Sequence, residues 1–148
     1  MVKGVKWSFT VDLSDEATYD RRKLEHRIKS RVRQKSSELA KEIGRPSVPS
    51  TFRVEVTFHQ KSGRWKKDNP QIPREDRGVD LDNCIKWIFD NLGPIIQDRI
   101  KWGKDMLTGR SVRSGKRGSA DSKIVELIAK KINTGSDREY LDIVIESL

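Results

Sequence analysis

The residues of this chain with the clearest chemical potential are two carboxylates and a lysine where a predicted helix begins. Asp80 and Asp82 lie two residues apart, and Lys86 follows one helical turn after Asp82. Carboxylates gathered at one point bind hard divalent cations such as Mg²⁺ or Mn²⁺. A lysine beside such a cation can offset the negative charge that develops on a phosphate during strand cleavage. The spacing therefore indicates a metal site with a phosphate-facing cation.

The net charge indicates the kind of partner that such a site would bind. The 148 residues include 31 Lys and Arg against 22 Asp and Glu, which gives a net charge of +9. A phosphate backbone is the commonest partner for such an excess, and an anionic membrane surface is the next. No segment resembles a Lys-rich amphipathic anchor, and no apolar run approaches the about 20 residues of a membrane span. The composition therefore favours a nucleic-acid partner and no membrane.

Two thirds of the positive excess lies between Arg99 and Arg117. This stretch has seven basic residues and one acid, so it carries +6 of the net +9. Its later half is rich in Gly, Ser and Arg, which predicts a mobile basic insert over about residues 95–120. Simple solubility is the alternative reading of the charge, but it does not explain why the charge is localised. The predicted DNA contacts in the insert are Lys101, Trp102, Arg110, Arg113, Lys116 and Arg117.

A second basic segment follows the second predicted strand, within the loop from Gln60 to Val79. Trp65 lies there among basic residues, as Trp102 does in the insert. Aromatic and cationic side chains together can stack on exposed bases and neutralise phosphates. Local packing of the loop is the alternative for both tryptophans. The DNA contacts predicted in this loop are Lys61, Arg64, Trp65, Lys66 and Lys67.

Hydrophobic periodicity predicts the order strand, helix, strand, helix, strand, strand within one domain spanning residues 1–148. A four-stranded mixed sheet with two main helices packed on it, an α+β fold, is the natural architecture. A turn at residues 133–137 predicts that the last two strands form a hairpin. The predicted elements are a strand around Val5–Val11, a helix from Ser14 to about Ile43, a strand from Phe52 to about His59, a helix over Leu81–Leu92, and strands over Lys123–Ile132 and Glu139–Glu146.

The first predicted helix is long and has two distinct faces. Acidic residues after Ser14 suit the positive end of a helix dipole, and Gly44 and Pro46 are expected to end the helix. Its basic face is either a solvated surface or a DNA contact, and it comprises Arg21, Arg22, Lys29, Arg33 and Lys35. Its buried stripe is predicted to comprise Leu24, Ile28, Val32, Leu39 and Ile43.

The second predicted helix would mount the acidic residues beside a buried face. Asp82, Lys86 and Asp90 fall four residues apart on one polar stripe, next to a stripe of apolar residues. Helix capping by the aspartates, or i,i+4 ion pairs worth about 0.3–0.5 kcal/mol, would explain the same residues without catalysis. A hydrolytic metal site needs a third carboxylate, for which Asp121 is the best candidate, Asp98 the rival and Asp76 a poorer choice.

The single Cys84 excludes an intrachain disulfide and a cysteine-based metal cluster. We therefore expect a reducing, cytoplasmic setting, and a buried thiol is the preferred reading over a nucleophile. His26 and His59 are isolated in the sequence, and hard cations prefer oxygen ligands, so neither histidine is assigned a role.

The segment around the acidic pair resembles a known family signature. Residues 79–92 read VDLDNCIKWIFDNL, which is similar to the signature of RusA-type Holliday-junction endonucleases. A second element of that family, an acidic residue just before a strand, is matched by residues 121–126, which read DSKIVE. Outside these two segments the similarity rests on the order of the elements. Two departures are a longer connection between the motifs and Ala120 in place of a second acid, and the longer connection keeps Asp98 open as the third ligand.

The resemblance implies a function and a set of roles. Asp80, Asp82 and Asp121 would bind the divalent metal, and Lys86 would be needed for cleavage. Asp90 would orient Lys86, and Asn83 would support the start of the helix. The implied substrate is a four-way DNA junction in repair or recombination, and paired nicks in opposing strands imply a homodimer. The alternatives are a non-catalytic nucleic-acid-binding module, or a metal-dependent nuclease that acts on other branched DNA or on RNA.

Overall fold

The main sheet has four strands and is mixed, as predicted. A computed structural model describes residues 4–14, 19–44, 51–96, 101–104, 111–114 and 123–148. The strand order is β1-β6-β2-β5; β2 and β5 are parallel, and the other neighbours are antiparallel. The elements are β1 Lys6–Asp12, α1 Arg21–Glu42, β2 Phe52–Gln60, α2 Leu81–Phe89, α3 Gly93–Ile96, β3 Lys101–Lys104, β4 Ser111–Ser114, β5 Ile124–Asn133 and β6 Tyr140–Ser147, with a 3-10 turn over Ser62–Arg64.

One face of this sheet forms the core together with α1 and α2. Alternate residues of β1, β2 and β6 are buried, which confirms the period-two patterns of the sequence. The helices contribute apolar side chains spaced three or four residues apart. The buried residues at the centre of this core include Trp7, Phe9, Val11, Leu24, Ile28, Val32, Val54, Val56, Phe58, Ile85, Ile88, Leu141 and Ile143.

The long helix begins later than predicted. Asp20 is its N-cap, and the Asp20 carboxylate accepts hydrogen bonds from the backbone N–H groups of Arg22 and Lys23. Ser14 has another role, because its hydroxyl accepts from the Glu139 N–H at 3.0 Å and donates to the Glu139 carbonyl at 3.2 Å. A serine followed by acids is a good local start signal, but here the long-range bond to Glu139 uses the serine side chain.

The predicted end of α1 is confirmed. Its C-cap is Ile43, and Gly44 adopts a φ of +92°, a left-handed conformation that favours glycine. Ile43 was predicted to lie in the buried stripe, but it is exposed. Leu39, predicted in the same stripe, is only partly buried. Ser36 is buried on the same side as Val32.

The last two strands do not form the predicted hairpin. β6 lies between β1 and β2, whereas β5 pairs with the far side of β2. The connection between them crosses the end of β2, where the Thr134 N–H donates to the Gln60 carbonyl and the Ser62 N–H donates to the Ser136 carbonyl, both at 2.9 Å. A turn sequence indicates that the chain reverses its direction. It does not indicate whether another strand lies between the two strands that the turn connects.

The basic insert contains two strands that the sequence analysis did not predict. β3 pairs antiparallel with β4 in a separate two-stranded sheet. The later half of the insert therefore contains regular structure. The insert lacks alternating apolar residues, which explains why these strands were not predicted. Lys101, Trp102 and Arg113 lie on them, where only the backbone is described; Arg110, Lys116 and Arg117 lie outside the described residues. Within the described part of the chain, no helix has the length and apolar character needed to cross a membrane.

Candidate functional site

The two aspartates of the acidic motif lie at the start of α2 and are both exposed. Asp80 occupies the N-cap position, with φ −64° and ψ 131°, and its carbonyl accepts from the Cys84 N–H at 3.1 Å. The Asp80 carboxylate, however, makes no capping hydrogen bond. Asp82 lies in the first turn, where the positive end of the helix dipole favours an anion. Helix capping therefore does not account for the Asp80 side chain.

The polar stripe of α2 is also free of ion pairs within the described residues. No ion pair or side-chain hydrogen bond among them involves Asp80, Asp82, Lys86 or Asp90. The expected i,i+4 pair that would let Asp90 orient Lys86 is thus not formed in this structure. Within the described part of the chain, neither a cap bond from the Asp80 side chain nor an ion pair along the helix therefore engages these carboxylates.

The opposite side of α2 is firmly packed. Cys84, Ile85 and Ile88 are buried in the core, and Trp87 is buried beneath α1, with the Arg21 guanidinium 5.9 Å from its ring centroid. A helix anchored along one face fixes the backbone positions from which the side chains of its first turn project. A metal site requires this kind of rigid mounting.

The segment that leads into α2 is held by a buried ion pair. The Arg64 guanidinium donates to the Glu139 carboxylate through Nε at 2.7 Å and through Nη2 at 3.0 Å. Its Nη1 donates to the Arg77 carbonyl at 2.9 Å, three residues before Asp80. The Lys61 N–H also donates to Glu139. Glu139 was not predicted as a buried partner of Arg64, because an acid before a strand carries no local signal of burial.

Three of the predicted DNA contacts in this loop are buried, which corrects their assignment. Arg64 is only 1% exposed and is paired with Glu139, so it is not presented to a phosphate backbone. Trp65 is buried and forms a β-bridge with Pro73, which agrees with local packing of the loop, the alternative to a DNA contact. Lys61 is buried and its ammonium lies over the Tyr19 ring. Lys66 and Lys67 are exposed and stay available as contacts.

A cluster of cations around Tyr19 was not predicted. The centroid of the Tyr19 ring is 4.5 Å from the Lys61 ammonium, 4.4 Å from the Arg77 guanidinium carbon and 5.3 Å from that of Arg64. Cation–π attraction of this kind stabilises cations over an aromatic face. Gly63 is needed for the approach, because a Cβ there would overlap the Tyr19 hydroxyl. The cluster concentrates positive charge on the loop that precedes Asp80.

The third carboxylate of the predicted metal site is not among the described residues. Asp121 and Asp98 both lie outside them. Asp76, the poorer candidate, is engaged by Arg74 through bonds of 3.0 and 2.8 Å, and this hydrogen bonding lowers the pKa of the Asp76 carboxyl. In the part of the chain that is described, no group of three or more His, Cys, Asp or Glu side chains could hold a metal.

Cys84 and His59 are structural side chains. Burial, and secondarily the negative charge of Glu139, raises the pKa of the Cys84 thiol to about 12, so the thiol is not an activated nucleophile. His59 lies against Asp142 at 3.0 Å and stacks on Tyr140 at a centroid distance of 4.2 Å, away from α2 on the polar face of the sheet.

No protein-family model matches this chain, and no curated protein matches its sequence.

Proposed function

We propose that this protein is a divalent-metal-dependent endonuclease that cleaves branched DNA, with the four-way Holliday junction as its substrate. One observation carries the proposal. Asp80 and Asp82 are exposed and two residues apart on a firmly packed helix, yet no cap or ion pair within the described residues engages their carboxylates. Free carboxylates at one point are a favourable environment for a hard cation.

The donor set suits Mg²⁺ or Mn²⁺. Asp80 and Asp82 would hold the ion through carboxylate oxygens, with Asp121 as the proposed third ligand and Asp98 as its rival. Bound there, the ion would supply Lewis acidity toward water and the scissile phosphate. Lys86, one turn into α2 and exposed, would offset the negative charge that develops on the phosphate.

Several features favour DNA as the substrate. The chain carries a net charge of +9, and the exposed Lys66 and Lys67 lie in the loop between β2 and α2. Phosphate contacts of this kind position a duplex without reading its sequence. The preference for a four-way junction rests on the resemblance of residues 79–92 and 121–126 to RusA-type endonucleases. A homodimer and a cytoplasmic location belong to the same proposal, because paired nicks in opposing strands require two symmetry-related sites.

Cleavage of a labelled four-way junction in Mg²⁺ tests the proposal. The natural chain is expected to introduce symmetric nicks near the branch point. Asp82→Asn is expected to abolish cleavage and to keep or tighten junction binding, because the charge that holds the metal is lost while the DNA surface is unchanged. Asp137→Asn, an exposed substitution on the β5–β6 connection, is the matched control and should cleave normally.

The outcomes separate the competing functions. Junction binding without cleavage by the natural chain would indicate a non-catalytic binding module. Equal cleavage of four-way, three-way and linear DNA, or preferential cleavage of RNA, would assign the nuclease to another substrate. Full activity of Asp82→Asn would remove the acidic motif from the mechanism.

A further inference from the structure

Strand β5 is an edge strand that exposes large apolar side chains. Among the described strands, β5 pairs with β2 only, so its other edge lacks a partner strand. Val125, Leu127, Ile128 and Ile132 of β5 are between 42% and 57% exposed. An exposed apolar edge is a template for pairing with another strand, and proteins usually block such an edge when it has no partner.

The other edge of the sheet is different. In β1 the apolar residues Trp7, Phe9 and Val11 are all buried, and the residues between them are polar. β1 therefore exposes polar side chains, whereas β5 exposes large apolar side chains. This contrast points to β5 as the surface that another chain covers.

The two faces of β5 can be assigned from its neighbours. The Arg53 Nε donates to Glu126 at 2.5 Å, and Arg53 lies on the polar face of β2. Because side chains alternate along a strand, Ile128, Lys130 and Ile132 share that face with Glu126. The polar face of β5 therefore carries the series Glu126, Ile128, Lys130, Ile132.

We propose that β5 pairs antiparallel with β5 of a second copy of this chain, around a two-fold axis at Ile128. In this register Glu126 of each copy lies opposite Lys130 of the other, and Ile128 lies opposite itself. Opposite charges and apolar pairs directly across two strands are stabilising. A contact in which both copies use the same surface, so that residue i meets residue j and residue j meets residue i, closes as a dimer.

Neighbouring registers lack this complementarity. An axis at Leu127 or Ala129 places Glu126 opposite an isoleucine. An axis at Glu126 or Lys130 places two like charges in direct opposition, which is destabilising. The axis at Ile128 is compatible with either alternation of the antiparallel hydrogen bonds, because the axis can pass through a hydrogen-bonded or a non-hydrogen-bonded pair.

The dimer has a consequence for the acidic motif. β5 contacts α2 and the segments on either side of it, with the Lys131 ammonium 3.5 Å from the Val79 carbonyl and the Lys123 ammonium 3.3 Å from the Ile96 carbonyl. A two-fold axis perpendicular to the joined sheet leaves both α2 helices on the same side of it. The inference rests on strand pairing and charge and not on nuclease activity, although it supplies the two symmetry-related sites that the proposed function requires.

Single cysteines test the register directly. Ile128→Cys should form a disulfide-linked dimer under mild oxidation, because opposed Cβ atoms lie about 4.5–5.5 Å apart, close to disulfide range. Glu126→Cys is the matched control: its two copies are offset by four residues along the strands, roughly 13 Å, and should not cross-link. The native Cys84 is buried and should give no background. Cross-linking at position 126 and not at 128 would overturn the register.

Charge reversal tests the interface in solution. By sedimentation of the full chain without metal or DNA, the natural protein should be a dimer, and Lys130→Glu should raise the dimer dissociation constant about tenfold or more. Lys130→Met should weaken association less than Lys130→Glu, because it removes the opposite charge without adding a repulsive one, and Lys6→Glu on the β1 edge should leave association unchanged. A monomer at all concentrations, or dissociation by Lys6→Glu, would overturn the proposal. Because association is measured without substrate, its failure is distinguishable from a failure of the proposed cleavage.

Discussion

Arg64 and Glu139 form an ion pair in the interior, with side chains 1% and 0% exposed and an Nε–Oε2 distance of 2.7 Å. Arg64 follows the end of β2, and Glu139 directly precedes β6. The same guanidinium donates to the Arg77 carbonyl on the approach to α2. One buried pair therefore joins the end of β2, the start of β6 and the segment that leads to Asp80.

Removal of Arg64 should be costly. Arg64→Met leaves the Glu139 carboxylate buried without its counter-charge, and breaking such a pair typically lowers the free energy of unfolding by about 3–5 kcal/mol. The combined substitution Arg64→Met and Glu139→Leu should recover most of this loss, because no isolated charge then stays buried. Urea denaturation of the two variants and the natural chain measures both effects.

The matched control is Arg74→Met, which removes a half-buried arginine paired with the exposed Asp76. It should leave the urea midpoint close to that of the natural protein, because solvent screens an exposed pair. Equal destabilisation by Arg64→Met and Arg74→Met would contradict the role of the buried pair.

Removal of the aspartate is expected to affect the free energy of unfolding differently at the two helix starts. Asp20→Ala should lower the free energy of unfolding by about 1 kcal/mol, because the Asp20 carboxylate accepts two backbone N–H bonds at the start of α1. Asp80→Ala should change it by less than about 0.5 kcal/mol, since its carboxylate makes no cap bond. Thermal or chemical unfolding compares the two variants, and a loss at Asp80 as large as that at Asp20 would show that Asp80 is a structural cap.

Lys86 should matter for cleavage and not for metal binding. Lys86→Met is expected to slow junction cleavage by about 10²-fold, because a positive charge aimed at the developing phosphate charge is lost. Calorimetric titration with Mg²⁺ should show little loss of affinity, since no ion pair in the described residues involves Lys86. Lys41→Met, an exposed lysine at the end of α1, is the control, and an equal effect of both substitutions on cleavage would indicate a general charge effect.

The Cys84 thiol should be protected by the fold. At pH 8 a thiol reagent such as DTNB should not react with the folded chain and should label one thiol per chain in urea, because burial raises the pKa of Cys84 to about 12. Rapid labelling of the folded protein would contradict the burial.

The same pKa gives a pH dependence with a definite sign. The pKa of about 12 in the folded chain lies above the ordinary thiol value of 9.0, so the folded state favours the neutral thiol. The contribution to stability should be complete below about pH 9 and should be lost between pH 9 and 12. Cys84→Ser should weaken this dependence, which urea midpoints measured across that range would detect.

The sequence by itself determined the elements that have a strong local period. Alternation in β1, β2 and β6 located those strands to within one residue, because one of their faces is buried along the whole strand. The helical spacing of the apolar residues from Cys84 to Ile88 placed the acidic motif at the start of a helix with a buried face.

The tertiary structure alone decided which elements are neighbours. The same turn would suit a hairpin of β5 and β6 or the observed crossing over β2, because turn residues respond to local dihedral angles and not to a third strand. The burial of Arg64 depends on Glu139, which lies 75 positions away in sequence. The freedom of the Asp80 carboxylate likewise could not be read from its type, because an aspartate at a helix start is compatible with capping and with metal binding, and only side-chain geometry distinguishes them.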